Sequence, residues 1–373
     1  MRVALDFNPV LVSSFSGFHA YGKGLLGGFG SIEEKPEFLL FHSKRFARQA
    51  GALTGALGPW AKPVSTPIKP RYLEAMWRLS RRPALQYFTG DFDVYHCVHY
   101  LMPPAKAKPR LLTVHDLRRH KLPELYARSK FKSLLERAIR TADHFIAVSE
   151  STKRDLCELF DVAPEKVDVV YHAAAGAFEP ATEAEKNATK KALSISTGKP
   201  LDRYLLAFSS PDKRKNIYRV IEAFNAASDR LPADLKLAIV GSPPRGDESL
   251  AAADITDRIL PIGPVEDVSC LLRCADGLVF ASCYEGFGIP VLEAFSCGVP
   301  VITSNVSSLP EVAGDAAFYV DPYRVESIAG AMVRLCGDPH LREKLSRAGL
   351  ERNRLFTWQK TAERTLEVYR KLA

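Results

Sequence analysis

Short apolar runs and longer amphipathic stretches alternate along this chain. Val3–Phe7, Phe38–Phe41, Val94–Val98, Arg110–Val114, Phe145–Val148 and Val167–Tyr171 have the length and continuity of strands buried on both faces. Between them, Tyr21–Gly30 and Lys130–Thr141 space their apolar residues as a helix does. This alternation predicts βαβ units around a parallel sheet, because parallel strands need a crossover connection and helices cover both faces. A second series follows, with strands expected at Tyr204–Phe208, Lys236–Val240, Gly277–Phe280, Val299–Thr303 and Ala317–Val320 and a helix over Ile217–Ala227. The expected fold class is α/β, with two doubly wound domains: residues 1–178, a polar linker at 179–200, and residues 201–358.

The length agrees with two domains, since 373 residues exceed what one core of about 250–300 residues can hold. With 46% hydrophobic and 25% charged residues, disordered, collagen-like and low-complexity readings are excluded. The longest apolar stretches, such as Leu278–Ala281 and Val299–Thr303, fall well short of the roughly 18 residues a membrane span needs. A strand-like start at Arg2–Asp6, with no basic segment ahead of an apolar one, leads us to expect a cytoplasmic protein. The seven cysteines include no C-x-x-C pair, which argues against disulfide and zinc frameworks.

Charge is placed unevenly. Residues 1–180 hold 26 Lys+Arg against 18 Asp+Glu, whereas residues 181–373 hold 25 of each, so the net +8 belongs to the first half. Within it, residues 44–82 carry Lys44, Arg45, Arg48, Lys62, Lys69, Arg71, Arg78, Arg81 and Arg82 against Glu74 alone, interleaved with Trp60, Tyr72 and Trp77. A basic and aromatic patch of this kind suits anionic lipid headgroups, although a solvated loop has the same composition.

Neither half has G-x-x-x-x-G-K-[ST], nor G-x-G-x-x-G after its first strand, so ordinary ATPase and dinucleotide readings lose their support. Ligands of open parallel sheets bind beyond the carboxyl ends of strands, and a cleft between the two domains is the expected site. Glu285-Gly286-Phe287-Gly288-Ile289-Pro290-Val291-Leu292-Glu293 follows the strand expected at Gly277–Phe280. Its glycines permit a tight turn, Pro290 suits the start of a helix, and a helix N-terminus attracts phosphate. Glu293 is expected in the first helical turn, within reach of a ribose diol, and Glu285 is expected to point into the cleft. An ordinary strand–helix turn would share this spacing.

The run Ser209-Ser210-Pro211-Asp212-Lys213-Arg214-Lys215-Asn216 follows the first strand of the same half. Three adjacent cations at that edge repel one another unless they are solvated or face an anion. A diphosphate fits: Arg214 can fork onto two oxygens while Lys215 supplies a point charge. In the first half, Thr113-Val114-His115-Asp116 sets a histidine at a strand end, and Ser16-Gly17-Phe18-His19-Ala20-Tyr21 forms another loop that could approach a ligand. His96 and His99 should face opposite sides of a strand, which disfavours a shared metal and favours a structural or acceptor-side role.

Together these segments resemble the retaining GT-B glycosyltransferases of glycosyltransferase family 4. The resemblance spans nearly the whole chain: Ser16-Gly17 with Tyr21, Thr113–Asp116, Ala147–Lys153, Arg214-Lys215-Asn216, the E-x7-E pair Glu285 and Glu293, and Ser308–Gly314. It implies that Arg214 and Lys215 neutralise a donor diphosphate, and that the backbone of Gly286, Phe287, Gly288 and Ile289 holds the donor's sugar and phosphate. It further implies that Glu293 binds ribose, that His115 and Glu285 flank the transferred sugar, that Gly17 closes on the phosphates, and that Ser209 and Val265 lie on the donor side. A final helix over 359–373 would cross back onto the first domain. Two departures are Ser16 at a position where the family's loop usually has glycine or threonine, and Phe208 or Ser209 where a glycine is common.

The implied reaction is retaining, metal-independent transfer of a hexose from a nucleotide diphosphate sugar to a hydroxyl of a glycan or lipid-linked acceptor, with no cofactor and no nucleic-acid partner. The motif wording resembles bacterial mannosyltransferases of polysaccharide and lipopolysaccharide assembly, which makes GDP-mannose the first expected donor. UDP-glucose and UDP-N-acetylhexosamines remain open. Peripheral contact with anionic membrane through residues 44–82 is expected, on the cytoplasmic face. Other activities of the fold, such as sugar-phosphate synthesis or epimerisation, stay as alternatives. A phosphorylase would need a pyridoxal lysine, for which no motif is seen. A non-enzymatic membrane or nucleic-acid binder is the remaining alternative, but no recognised nucleic-acid module accompanies the basic patch.

Overall fold

The computed structural model describes residues 1–12, 17–80, 82–106, 108–126, 130–174, 176, 178–198, 201–243, 257–265 and 267–373. The chain divides into two units, Met1–Ala173 with Phe356–Ala373, and Ala174–Leu355.

The first unit is built on seven parallel strands: β1 (Arg2–Asp6), β2 (Glu37–Ser43), β3 (Ala61–Thr66), β4 (Val94–Cys97), β5 (Arg110–Val114), β6 (His144–Ala147) and β7 (Val167–Val169). Their order is β3-β2-β1-β4-β5-β6-β7. Alternation along the strands feeds both faces: Val3, Leu5, Phe38 and Leu40 enter one buried cluster, and Ala4, Leu39 and Phe41 enter the other. Two covered faces are why these strands read as unbroken apolar runs rather than alternating ones.

The second unit has six parallel strands: β8 (Arg203–Phe208), β9 (Leu235–Val240), β10 (Ile259–Gly263), β11 (Gly277–Phe280), β12 (Val301–Ser304) and β13 (Ala317–Val320). Their order is β10-β9-β8-β11-β12-β13. The winding reverses between β1 and β4 in one unit and between β8 and β11 in the other, and ligands of doubly wound sheets bind at such switch points. Each unit is therefore a doubly wound, Rossmann-like domain, as expected.

The sequence pattern missed β3 and β10. Both are edge strands, and both contain a proline, Pro63 and Pro261, which an edge tolerates because one side of its ladder has no partner. β12 starts at Val301 rather than Val299, whose amide instead donates to Ala294 O at the end of the preceding helix.

Residues 179–200, expected to be a linker, hold the helix Glu183–Thr197. Thr182 and Glu185 cap it reciprocally, and Arg273 of the second unit donates to Glu185 Oε1 at 3.0 Å. The capping box makes a helix of what polar composition alone presents as connection.

The terminal helix is Trp358–Leu372, started by Thr357, whose side chain accepts from Lys360 N. It packs against the helix Gly17–Gly30, and the approach is close: a Cβ at Gly28 would lie 2.0 Å from Trp358 O. Among the described residues no helix is long and apolar enough to cross a membrane.

Candidate active site

In the second unit the basic loop leaves β8 and the glycine turn leaves β11, so the two loops flank that unit's switch point. Ser209 N donates to Val240 O, and its hydroxyl donates to Ser242 O at 2.9 Å, tying the start of the basic loop to the loop after β9. Asp212 then caps a short 3-10 turn, Lys213–Lys215. The three expected cations separate here. Lys213 is exposed, whereas Arg214 is buried and Lys215 nearly so.

Arg214 Nε donates to Asp212 Oδ2 at 3.1 Å, and Nη1 donates to Tyr284 O at 2.8 Å and pairs with Glu285 Oε2. Lys215 Nζ donates to Glu285 Oε1 at 2.7 Å and stands 4.4 Å from the centroid of the Phe280 ring. Glu285 thus bridges both cations. Its side chain is buried, drawn onto two positive charges. Burial alone would raise its pKa, but Arg214 and Lys215 outweigh burial and hold it at about 2. Burial pulls Lys215 below the ordinary lysine value against the opposing pull of Glu285.

Asn216 was read from the sequence only as part of a tripeptide, yet it anchors the turn. It sits in the left-handed region (φ 61°), and its Nδ2 donates to Ala281 O at 2.9 Å and Pro322 O at 2.7 Å, while Oδ1 accepts from Arg219. Cys283 N donates to Arg214 O at 2.8 Å, adding a backbone tie between the two loops. Two serines hold the glycine turn: Ser307 Oγ accepts from Glu285 N at 3.0 Å, and Ser308 Oγ donates to Phe287 O at 2.6 Å while lying 3.0 Å from Glu285 O. The signal for Ser308 was its place in the Ser308–Gly314 resemblance. The signal for Asn216 is its place in the Arg214-Lys215-Asn216 tripeptide, whereas Ser307 has none, because its partner is distant in sequence.

The turn leads into the helix Ile289–Ser296. Gly288 caps it at φ +119°, and a Cβ there would also lie 2.9 Å from Leu309, so both backbone and space ask for glycine. Two expectations about this helix need correction. Glu293 is its fifth residue, not in its first turn. The supply of first-turn amides is also smaller than expected, since Pro290 has none and Val291 N already donates to Gly288 O at 3.0 Å. Val265 lies after β10, two strands from β8.

In the first unit His115 follows β5. Its Nε2–H donates to Val98 O at 3.1 Å, and its ring meets Phe18 and Tyr21 edge-on and stacks on His172. Burial lowers its pKa to about 4, so it is neutral near pH 7, and with Nε2 as donor its Nδ1 is left as an acceptor. Asp116 bonds the backbone and guanidinium of Arg118. His96 is fully buried between Tyr369 OH and Thr113 Oγ1, each at 2.7 Å, and is structural; His99 instead meets Phe18 edge-on and lies tilted against Tyr100. Gly17 is the exposed first residue of its helix, with open space around a Cβ. Ser16 lies outside the described residues.

Comparison with known proteins places both halves. Residues 40–174 match the family described as Glycosyltransferase Family 4, and residues 189–352 match the family described as Glycosyl transferases group 1. The chain is 27% identical to O-antigen chain mannosyltransferase B of Escherichia coli over the full length of both. It is also 27% identical to MMP alpha-(1->4)-mannosyltransferase of Mycolicibacterium hassiacum, over 76% of this chain and 71% of that protein. Among solved structures, sucrose-phosphate synthase from Thermosynechococcus elongatus has the same fold, with a TM-score of 0.73 at 19% identity over 100% of this chain and 99% of that one.

Proposed function

We propose, for a chain that is a glycosyltransferase of the family 4 type with the GT-B fold, that it moves mannose from GDP-mannose to a hydroxyl of a glycan or lipid-linked acceptor in cell-surface polysaccharide assembly. The reading of the sugar is supported by full-length similarity to one mannosyltransferase and extended similarity to a second.

The observation that carries the chemistry is the Arg214–Glu285–Lys215 constellation at the β8/β11 switch point. In the transfer, the bond from the anomeric carbon to the diphosphate oxygen breaks, the acceptor oxygen bonds that carbon, and the acceptor's proton passes to the departing phosphate. Negative charge grows on the leaving group. A guanidinium and an ammonium already desolvated and held by fixed partners stabilise that charge without reorganising. In this reading the diphosphate takes over from Glu285 as their counter-charge, which frees the carboxylate to contact the transferred sugar. Retention at the anomeric carbon and independence from metal belong to the same reading, with the two cations supplying the charge that a metal ion would otherwise bring. Glu293 is assigned to the ribose and the Gly286–Ile289 backbone to sugar and phosphate, while Gly17, His115, Ser209 and Val265 enter through the resemblance alone. We place the enzyme in the cytoplasm, in peripheral contact with the membrane.

Thermal stabilisation across a panel of GDP- and UDP-sugars tests the donor, because binding to the native state raises stability by mass action, by about 2.7 kcal/mol at a hundred times Kd. GDP-mannose should give the largest rise. A rise with UDP-sugars alone would overturn the donor assignment, and no rise with any nucleotide sugar would overturn the diphosphate site.

A further inference from the structure

The helix Pro70–Leu79 is buried on one face and bare on another. Leu73 and Trp77 pack into the first unit, and Trp77 Nε1 donates to Pro83 O at 2.8 Å. Tyr72, Met76 and Leu79, at i, i+4 and i+7, share a stripe about a third of a turn from that face. They are 53%, 40% and 80% exposed, and Tyr87 in the next short helix, Gln86–Thr89, is 80% exposed. Single exposed apolar residues are ordinary on a soluble surface, but four large ones in one short segment mark a contact surface.

Cations border it. Lys69, Arg71, Arg78 and Arg82 are exposed, and among the described residues no acid pairs with them. Arg71 instead lies 4.5 Å from the Tyr72 ring and donates to its hydroxyl. Lys44, Arg45 and Arg48 of the basic stretch are exposed too, but they lie on the turns and helix ahead of β3. Lys62 is paired with Glu37, and Trp60 and Trp77, which composition suggested as surface aromatics, pack on or within the core. Arg81 lies outside the described residues. Within the broad patch read from the sequence, exposed cations border exposed large apolar residues on this helix and the turn after it.

We propose that this element lies on an anionic phospholipid surface, with Tyr72, Met76, Leu79 and Tyr87 entering the headgroup boundary and Lys69, Arg71, Arg78 and Arg82 meeting lipid phosphates. This rests on the membrane contact proposed above and names its element and its mode. Each part matches one layer of the interface: tyrosines prefer the headgroup level, aliphatic side chains the acyl edge, and unpaired arginines the negative surface. A nucleic acid would engage the arginines but leave Leu79 and Met76 in water.

The full chain should cosediment with vesicles of phosphatidylcholine mixed with phosphatidylglycerol, and not with phosphatidylcholine alone. The combined Tyr72→Ser, Met76→Ser, Leu79→Ser variant should lose binding at least about tenfold, as should Arg71→Glu with Arg78→Glu. Because these side chains are exposed, the melting temperature and nucleotide-sugar binding should be unchanged in both variants. Three results would overturn the proposal: no binding of the wild type to the mixed vesicles, wild-type binding by the serine variant, or an oligomer that forms without lipid and disappears in the serine variant. Nucleotide-sugar binding, measured without lipid, succeeds or fails independently.

Discussion

Lys215 Nζ donates to Glu285 Oε1 at 2.7 Å across seventy positions of sequence, and the same carboxylate also holds Arg214. Neither loop could keep its charges buried alone. Removing one partner from a buried charge cluster leaves the others uncompensated, which costs about 3–5 kcal/mol.

Lys215→Ala should lower turnover by about a hundredfold or more, the scale of losing one preorganised donor at a developing charge. Steady-state kinetics on the folded variant, verified by circular dichroism, is the check. Near wild-type turnover would remove Lys215 from the chemistry. Glu285→Gln should melt earlier than wild type, and the gap should narrow when a nucleoside diphosphate is added, since the ligand restores negative charge beside Arg214 and Lys215. An unchanged gap at saturating ligand would mean that the cations do not meet the diphosphate.

Metal independence is tested by turnover in excess EDTA. Full activity is expected if, as proposed, Arg214 and Lys215 supply the counter-charge. Loss that magnesium restores would contradict this.

Acid should destabilise the protein earlier than its carboxylates require. Burial lowers His96 to about 3, His99 and His115 to about 4, and His172 well below the usual value. A histidine held neutral by the fold stabilises fully above its unfolded pKa near 6.5, and that stability drains away as pH falls toward the folded values, because the unfolded chain binds more protons. Asp6, raised by burial to about 7, acts in the opposite direction, but it is one group against four. Melting temperature should therefore fall between pH 6.5 and 5. A flat profile there would show that these rings protonate freely in the folded state.

Gly28→Ala should destabilise by about 1–3 kcal/mol, because the new methyl meets the backbone oxygen of Trp358. Gly27→Ala is the matched control: nothing lies within 4 Å of its Cβ, so it should be neutral or gain up to about 1 kcal/mol of helix propensity. Equal effects in chemical denaturation would mean that the terminal helix does not seat on Gly28.

The sequence by itself determined the architecture and the chemistry on offer. Strands buried on both faces must be apolar throughout, so the central strands of both sheets are legible as runs, and the edge strands β3 and β10, each interrupted by a proline, are not. Arg214, Lys215, Glu285 and Gly288 stood out because charge runs and glycines are costly unless something requires them. What only the tertiary structure decided was pairing. Glu285 turns onto the cations, Lys213 leaves the cluster, and Asn216, Ser307 and Ser308 fix loops far from them in sequence. The same holds for the basic stretch, where Trp77 is buried and Lys62 pairs with Glu37, while Tyr72, Met76 and Leu79 on the helix of Trp77 face solvent. Composition records which groups are present, but which of them face one another depends on contacts between strand ends, and local periodicity carries no information about those.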